Sequence, residues 1–410
     1  MTMRRGTNLP AVGEYNQAVV LDAIRRSPGL SRAELAHRTG LSSQSMSNVA
    51  RRLLVDGLIR EAKPEIRGRG KPRVPLELVA NSRFAVGLHL DPAVVTYVIL
   101  NLEGTVINSR HSPDVAGNEP AEAVTVIGNN INRLIDDVGI DRATILGLGI
   151  ASPGPIDAVR GLVDPPLIRG WAGVPLRDGL SAATGLPATL EKDVNAAVVA
   201  ELWTGGDDAS KNFAFLYFGT GLGLGLYLSG EVFLGSSGNA GSAGTLVVSA
   251  TDLPSRRISD HLGHLVTPEH LVGQAVDAGV LPAPPNGSGD LAWVDESFAL
   301  LVELIETGDA TALQIADRAA RYIAAALVSV VNLLDIDRIV VGGPYWAPLS
   351  PRLLPQVSNL LNESPDRETR RPVEVKQYPR GEDVAAIGAA CLVLNTRLSP
   401  RPSSLLIESS

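Results

Sequence analysis

At 410 residues the chain is long enough for two or three folded units, and its 45% hydrophobic content can bury a large core, which excludes global disorder. One cysteine, Cys391, excludes a disulfide framework and any zinc site built on two thiolates of one chain. The net charge of −8 hides a division: residues 1–80 carry 14 Lys and Arg against 7 Asp and Glu, a balance of +7, and the remainder carries −15. Arg4 and Arg5 are followed by no apolar leader segment. The longest apolar stretch, Ile323 to Leu334, is interrupted by Ser329 and Asn332 and falls short of the roughly 18 residues of a membrane span. The expectation is a cytoplasmic protein with no membrane partner.

In the basic head, Asn16 to Arg26 is patterned as an amphipathic helix on Val19, Val20, Ala23 and Ile24, stopped by Ser27-Pro28-Gly29. Ser31-Arg32-Ala33-Glu34 is a capping box, in which the serine hydroxyl accepts the Glu34 N–H and the carboxylate reaches back. A short helix to Arg38 and the turn Thr39-Gly40-Leu41 lead to Ser42, the N-cap of a further helix running to about Val55. Met46, Val49, Leu53 and Leu54 recur at helical spacing and face inward, leaving Ser43, Gln44, Ser47, Asn48, Arg51 and Arg52 outward. Small amides and hydroxyls near the N-terminus suit base edges, and the arginines further along suit phosphates. Leu58–Glu61 and Val74–Leu78 are expected to form two wing strands around a loop containing Arg67, Arg69, Lys71 and Arg73. A Gly/Pro-rich backbone carrying alternating long cations fits a groove lined by phosphates. These ten residues are the candidate DNA contacts of a winged helix-turn-helix.

In the acidic body, Phe84–Leu90 and Val94–Leu100 are patterned as a hairpin, and Glu103-Gly104 turns into a third strand. A helix over Pro120–Val138 follows, then the strand Ile145–Ile150, which ends in Ser152-Pro-Gly-Pro-Ile-Asp157. From about Thr189 strands again lead into helices, with the glycine-rich turn Gly219–Gly225 between two apolar strands. The alternation implies an α/β fold of two similar lobes around a cleft.

Several segments, in order, resemble the ROK family (repressors, open reading frames and sugar kinases). In the head these are Ser31-Arg-Ala-Glu-Leu-Ala, Gly40-Leu-Ser42 and the Gly-Arg-Gly-Lys-Pro-Arg wing. In the body they are Gly147–Asp157, Gly170–Leu176, Glu191–Ala197, Gly219–Gly225, Ile339–Gly343 and Asp383–Ala389. The resemblance implies a winged helix-turn-helix over 1–80 followed by a two-lobed sugar kinase/actin-like (ribonuclease H-like) ATPase fold over 81–397. The lobes would span 81–188 and 189–380, with a C-terminal helix returning to the first lobe and a flexible tail over 398–410.

The family's catalytic pattern is interrupted at several positions. Where its kinases carry Asp-x-Gly-Gly-Thr at the first hairpin, this chain has His89-Leu90-Asp91-Pro92-Ala93, which adds a negative charge and removes an N–H where phosphate would sit. Asp193 occupies the place of the catalytic base and Lys192 that of a sugar-contacting Asn. Ser242 and Thr245 replace the Glu and His of Glu-x-Gly-His, and Leu167 stands for another sugar-contacting Asn. The zinc segment is absent between Pro254 and Glu269, and His261, His264 and His270 do not replace its thiolates. The expectation is a non-enzymatic regulator, a repressor of carbohydrate-related genes, that needs no cofactor or metal. Its partners would be operator DNA and a second copy or a tetramer of itself. A sugar-like effector would be held by Gly154, Trp171, Lys192, Asp193, Ser242 and Thr245, and Lys192 points to an anionic group on it. An active sugar kinase and a regulator without any ligand are the alternatives.

Overall fold

The computed structural model describes residues 9–65, 73–115, 119–205, 212–248, 261–284 and 290–398. The head consists of α1 (Leu9–Arg26), α2 (Arg32–Thr39), α3 (Ser43–Val55) and the antiparallel pair β1 (Ile59–Glu61) and β2 (Leu76–Leu78), with Ile59 opposite Leu78. Helix α1 begins at Leu9, seven residues before the expected start at Asn16, an extension that a proline in the first helical turn does not prevent. The capping box of α2 forms as expected: Ser31 accepts the Glu34 N–H, and Glu34 Oε2 accepts the Ser31 N–H at 2.8 Å. Gly40 then closes α2 at φ 70°, a left-handed position that a Cβ would strain. Val20, Leu21, Ile24, Leu35, Met46, Val49 and Leu53 form the head's core, and Leu102 of the body inserts into it.

The first lobe holds β3 (Phe84–His89), β4 (Val95–Asn101), β5 (Val106–Ser112), α4 (Pro120–Val138), β6 (Ile145–Ser152), β7 (Ile156–Asp157), β8 (Leu162–Val163), α5 (Leu176–Thr184) and β9 (Ala188–Lys192). Its sheet runs β5-β4-β3-β6-β9, an antiparallel meander extended by two parallel strands. The lobe boundary expected at Thr189 therefore moves, because Thr189 pairs with Gly149 inside the first sheet. Helix α6 (Asp193–Thr204) follows. The second lobe contains β10 (Phe213–Phe218), β11 (Leu222–Leu228), β12 (Glu231–Val232), α7 (Gly263–Val266), α8 (Pro268–Asp277), α9 (Leu291–Thr307), α10 (Ala310–Leu334), β13 (Arg338–Gly342), α11 (Trp346–Glu363) and β14 (Glu374–Gln377). Its sheet, β12-β11-β10-β13-β14, repeats the first topology.

The two units exchange their last helices. Helix α6 ends the first unit but packs on β10 and β11, whereas α12 (Val384–Leu398) ends the second but packs on β3, β4 and β6. The fit leaves no room for side chains: a Cβ on Gly149 would lie 1.8 Å from the Ala389 carbonyl oxygen, and one on Gly388 1.8 Å from that of Ala196. The two exchanged helices thus lie against each other between the sheets, and the cleft opens at the N-terminal end of α6. Among the described residues no helix is long and apolar enough to cross a membrane.

Candidate functional site

The head presents one outward surface on α3. Ser43, Gln44, Asn48, Arg51 and Arg52 are exposed, and Ser47 is half-buried, donating its hydroxyl to the Ser43 carbonyl at 2.8 Å. Arg51 reaches only the edge of hydrogen-bond distance to Asn48 Oδ1, at 3.5 Å, and the Arg52 guanidinium lies beside Gly13 of α1. Gln44 and Asn48, four residues apart, share one face of the helix. Arg67, Arg69 and Lys71 lie outside the described residues. Arg73 is placed differently from a free groove contact: its guanidinium bonds Glu34 at 2.7 Å, Glu65 at 2.9 Å and the Gly29 carbonyl at 2.6 Å. It braces the wing against α2, and the same guanidinium, with Ser31, holds the Glu34 carboxyl down at about 2.

Between the lobes lies a cleft of about 490 Å³, within the size range of small-molecule sites. Of the six residues expected there, Gly154, Lys192, Asp193, Ser242 and Thr245 line it. Trp171 does not: it is packed in the apolar core of the first lobe, and its indole N–H finds no partner among the described residues. Prolines ahead of the Gly-Trp segment form the wall in its place, with Pro153, Pro155 and Pro166 facing the cavity together with Leu167.

Lys192 and Asp193 form the floor. Lys192 closes β9, and its ammonium bonds the carbonyls of Asn239 at 3.1 Å and Ala240 at 2.9 Å, which leaves one of its three N–H groups. Gly154 makes room for this side chain, since a Cβ there would lie 3.0 Å from Lys192 Cε. Burial lowers the Lys192 pKa, while Asp193 and Glu191 oppose that. Asp193 opens α6 and accepts the Val194 N–H at 2.7 Å. A helix N-terminus favours a carboxylate, but burial wins here and the Asp193 pKa is pushed up to about 7, with nearby Asp91 adding to the effect.

Sequence reasoning did not single out Tyr217, Thr220 and Asn239, which also line the cavity. The Tyr217 hydroxyl is buried without a partner among the described residues, and its ring meets His89 edge-on at 5.8 Å between centroids. His89 is buried and neutral, its pKa lowered to about 4 by desolvation. The available clue was the alternation Phe213, Phe215, Tyr217, which sets a hydroxyl at the end of an inward-facing row. Thr220 donates to Asp91 Oδ1 at 2.9 Å, joining the β3–β4 turn of one lobe to the β10–β11 loop of the other. Beyond Asp91 lies a second cavity of about 370 Å³, lined by Asp295, Phe298, Pro344 and Tyr345 among others, with no Lys or Arg in its wall among the described residues.

Comparison with known proteins places these features. The ROK family profile matches residues 87–258 and 295–396, and the MarR family profile matches residues 14–69. The chain is 24% identical over 64% of its length to a glucokinase of Halalkalibacterium halodurans, covering 81% of that protein. It is 27% identical over 92% of its length to a transcriptional regulator of Mycobacterium tuberculosis, covering 84% of it. A crystal structure of a ROK family transcriptional regulator, a homologue of the E. coli MLC protein, superposes with a TM-score of 0.74 at 19% identity, over 95% of this chain and 98% of the other. The fold of that structure is shared across head and body alike.

Proposed function

The chain belongs to the ROK family, with a MarR-type winged helix ahead of the family body as in its transcriptional regulators, and from that premise we propose that it is a sequence-specific DNA-binding repressor whose body senses a small ligand without turning it over. One observation carries the DNA-reading half. An isolated α3 face offers Gln44 and Asn48 to base edges and Arg51 to a phosphate, with the buried face of the same helix fixed in the head core. In this reading the wing cations Arg67, Arg69 and Lys71 bind phosphates of the same duplex.

The absence of turnover is supported by the Asp91–Thr220 hydrogen bond. In a kinase of this family the two loops face a triphosphate with their backbone N–H groups. Here a carboxylate spans them, and among the described residues the adjoining cavity offers two carboxylates and no cation. Asp193 could accept a proton from a ligand hydroxyl, but the two loops that would present a triphosphate to it are joined to each other by Asp91 and Thr220. In this reading the cleft binds a sugar derivative bearing a carboxylate or phosphate, which takes the remaining N–H of Lys192, with hydroxyls toward Asp193 and Tyr217. Binding shifts the lobes and with them the spacing of two heads in a homodimer, which releases operator DNA.

The test is a panel of sugars, sugar acids and sugar phosphates titrated into the protein bound to its selected DNA, with ATP consumption followed on the same panel. Release by an anionic sugar derivative with no ATP turnover is expected. Sustained turnover overturns the regulator reading, and release by neutral sugars alone removes the anionic effector.

A further inference from the structure

Helix α6 begins in the cleft and ends under the head. Asp193, its first residue, forms the cleft floor, and Trp203, ten residues on and about 15 Å along the axis, meets the DNA-reading unit. Arg25 of α1 lays its guanidinium 4.1 Å from the Trp203 ring centroid and donates Nη1 to the Trp203 carbonyl at 3.0 Å. Asp22, 2.8 Å from Arg25 Nη2, holds the guanidinium in that orientation.

The helix between these ends has no slack. Ten of its twelve residues are buried. A Cβ on Gly225 would lie 2.3 Å from the Val194 carbonyl oxygen and one on Gly388 1.8 Å from that of Ala196, so backbone touches backbone on two sides. A displacement of the first turn is therefore carried by the whole helix rather than absorbed within it. At the far end the last turn is tied to both lobes: Trp203 Nε1 donates to Asn395 of α12, Thr204 bonds Tyr378 at 2.9 Å, and Glu201 pairs with Lys376 of β14.

The head has room to respond. Beside the Arg25–Trp203 contact lies a cavity of about 420 Å³, walled by Ile24, Arg25 and Pro28 of the head, Arg60 and Glu77 of the wing, and Glu103 and Trp203 of the body. A further anchor is Leu102, buried in the head core, with its N–H bonded to the Ala80 carbonyl. The head is thus held at Leu102, at Arg25 on Trp203, where α1 packs on α12 and where Arg83 donates to the Asp56 carbonyl, with open space beside the Arg25–Trp203 contact.

We propose that Arg25 and Trp203 are positioning residues that transmit the state of the cleft to the DNA-reading head through α6. This rests on the reading of the cleft as a sensor and of the head as a DNA reader, and assigns the connection between them. A double-mutant cycle tests the coupling. Asp193→Asn, nearly isosteric, and Arg25→Leu are made singly and together in the full chain, with Trp203→Phe as the conservative variant that keeps a ring under Arg25. Arg25→Lys replaces the leucine variant should that one fail to fold.

The readouts are amide hydrogen exchange of α1 and affinity for the duplex that the wild-type chain enriches from a random pool. Asp193→Asn is expected to change both by about fivefold or more, to lose that effect when Arg25→Leu is present, and to retain it with Trp203→Phe. Additive effects, or an α1 unmoved by Asp193→Asn, overturn the linkage. If no duplex is enriched, the DNA-reading assignment falls, and hydrogen exchange still decides the linkage.

Discussion

Asp193 shows how burial sets chemistry at the scale of a residue. Its carboxyl titrates near 7 instead of 3.8, so between those values the folded chain holds a proton that the unfolded chain has released. Stability from this group therefore falls as pH rises through that window. Asp193→Asn should gain thermal stability over the wild type at pH 8 and lose that advantage toward pH 4. At about 1.4 kcal/mol per pH unit the ceiling is about 4 kcal/mol. Melting curves at pH 4, 6 and 8 check the sign, and an advantage that grows on acidification contradicts the burial argument. His89 works in the opposite sense. Its pKa is lowered from 6.5 to about 4, so its contribution is complete above 6.5 and is lost as pH falls toward 4. Trp171, expected in the cleft, is core instead. Trp171→Ala should cost about 3–5 kcal/mol of folding stability, read as a fall in the denaturation midpoint, and should act on any ligand only through that loss.

Among the elements, α3 and α12 make separable predictions. Gln44→Ala should relax discrimination at one base pair by about 1–3 kcal/mol, whereas Arg51→Ala should weaken all duplexes alike and lower the salt slope of binding by about one. Quantitative binding to the selected duplex and to its point variants separates the two. A Gly388→Ala side chain would collide with the Ala196 carbonyl of α6, so that variant should unfold at lower temperature than the wild type, by overpacking rather than by loss of a contact.

The elements also show what local sequence conveys. The capping box of α2, the Ser42 cap of α3 and the span of α4 depend on residues within one or two turns, and they were legible. The membership of β9 was not, because its partner β6 lies some forty residues away and periodicity within β9 carries no information about it. The same holds for the cleft. Lys192, Ser242 and Thr245 stood out as departures from a family pattern and Asp193 as a retained position of it, whereas the alternation through Tyr217 marks only an inward-facing hydroxyl and nothing adjacent in sequence marks Asn239 as a neighbour of the others. Arg73 looked like the other wing cations in sequence, and only its distance from Glu34, thirty-nine residues away, distinguishes it.

For the whole molecule, the repeated sheet topology and the exchange of α6 and α12 place one buried helix between a ligand-sized cleft and a DNA-reading head. A kinase needs those two lobes to close on a triphosphate. Here Asp91 and Thr220 already join them, and in our account closure serves to move the head. A basic head of +7 on a body of −15 supplies attraction to DNA while the body repels it, so the chain should engage duplexes through the head alone. The most direct test of this account is the ratio of affinities of the full chain for its selected duplex and for a shuffled duplex of equal length and composition, measured at one physiological salt concentration. The account predicts a preference of about a thousandfold or more for the selected sequence, with paired half-sites. Equal affinity for the two duplexes would contradict it.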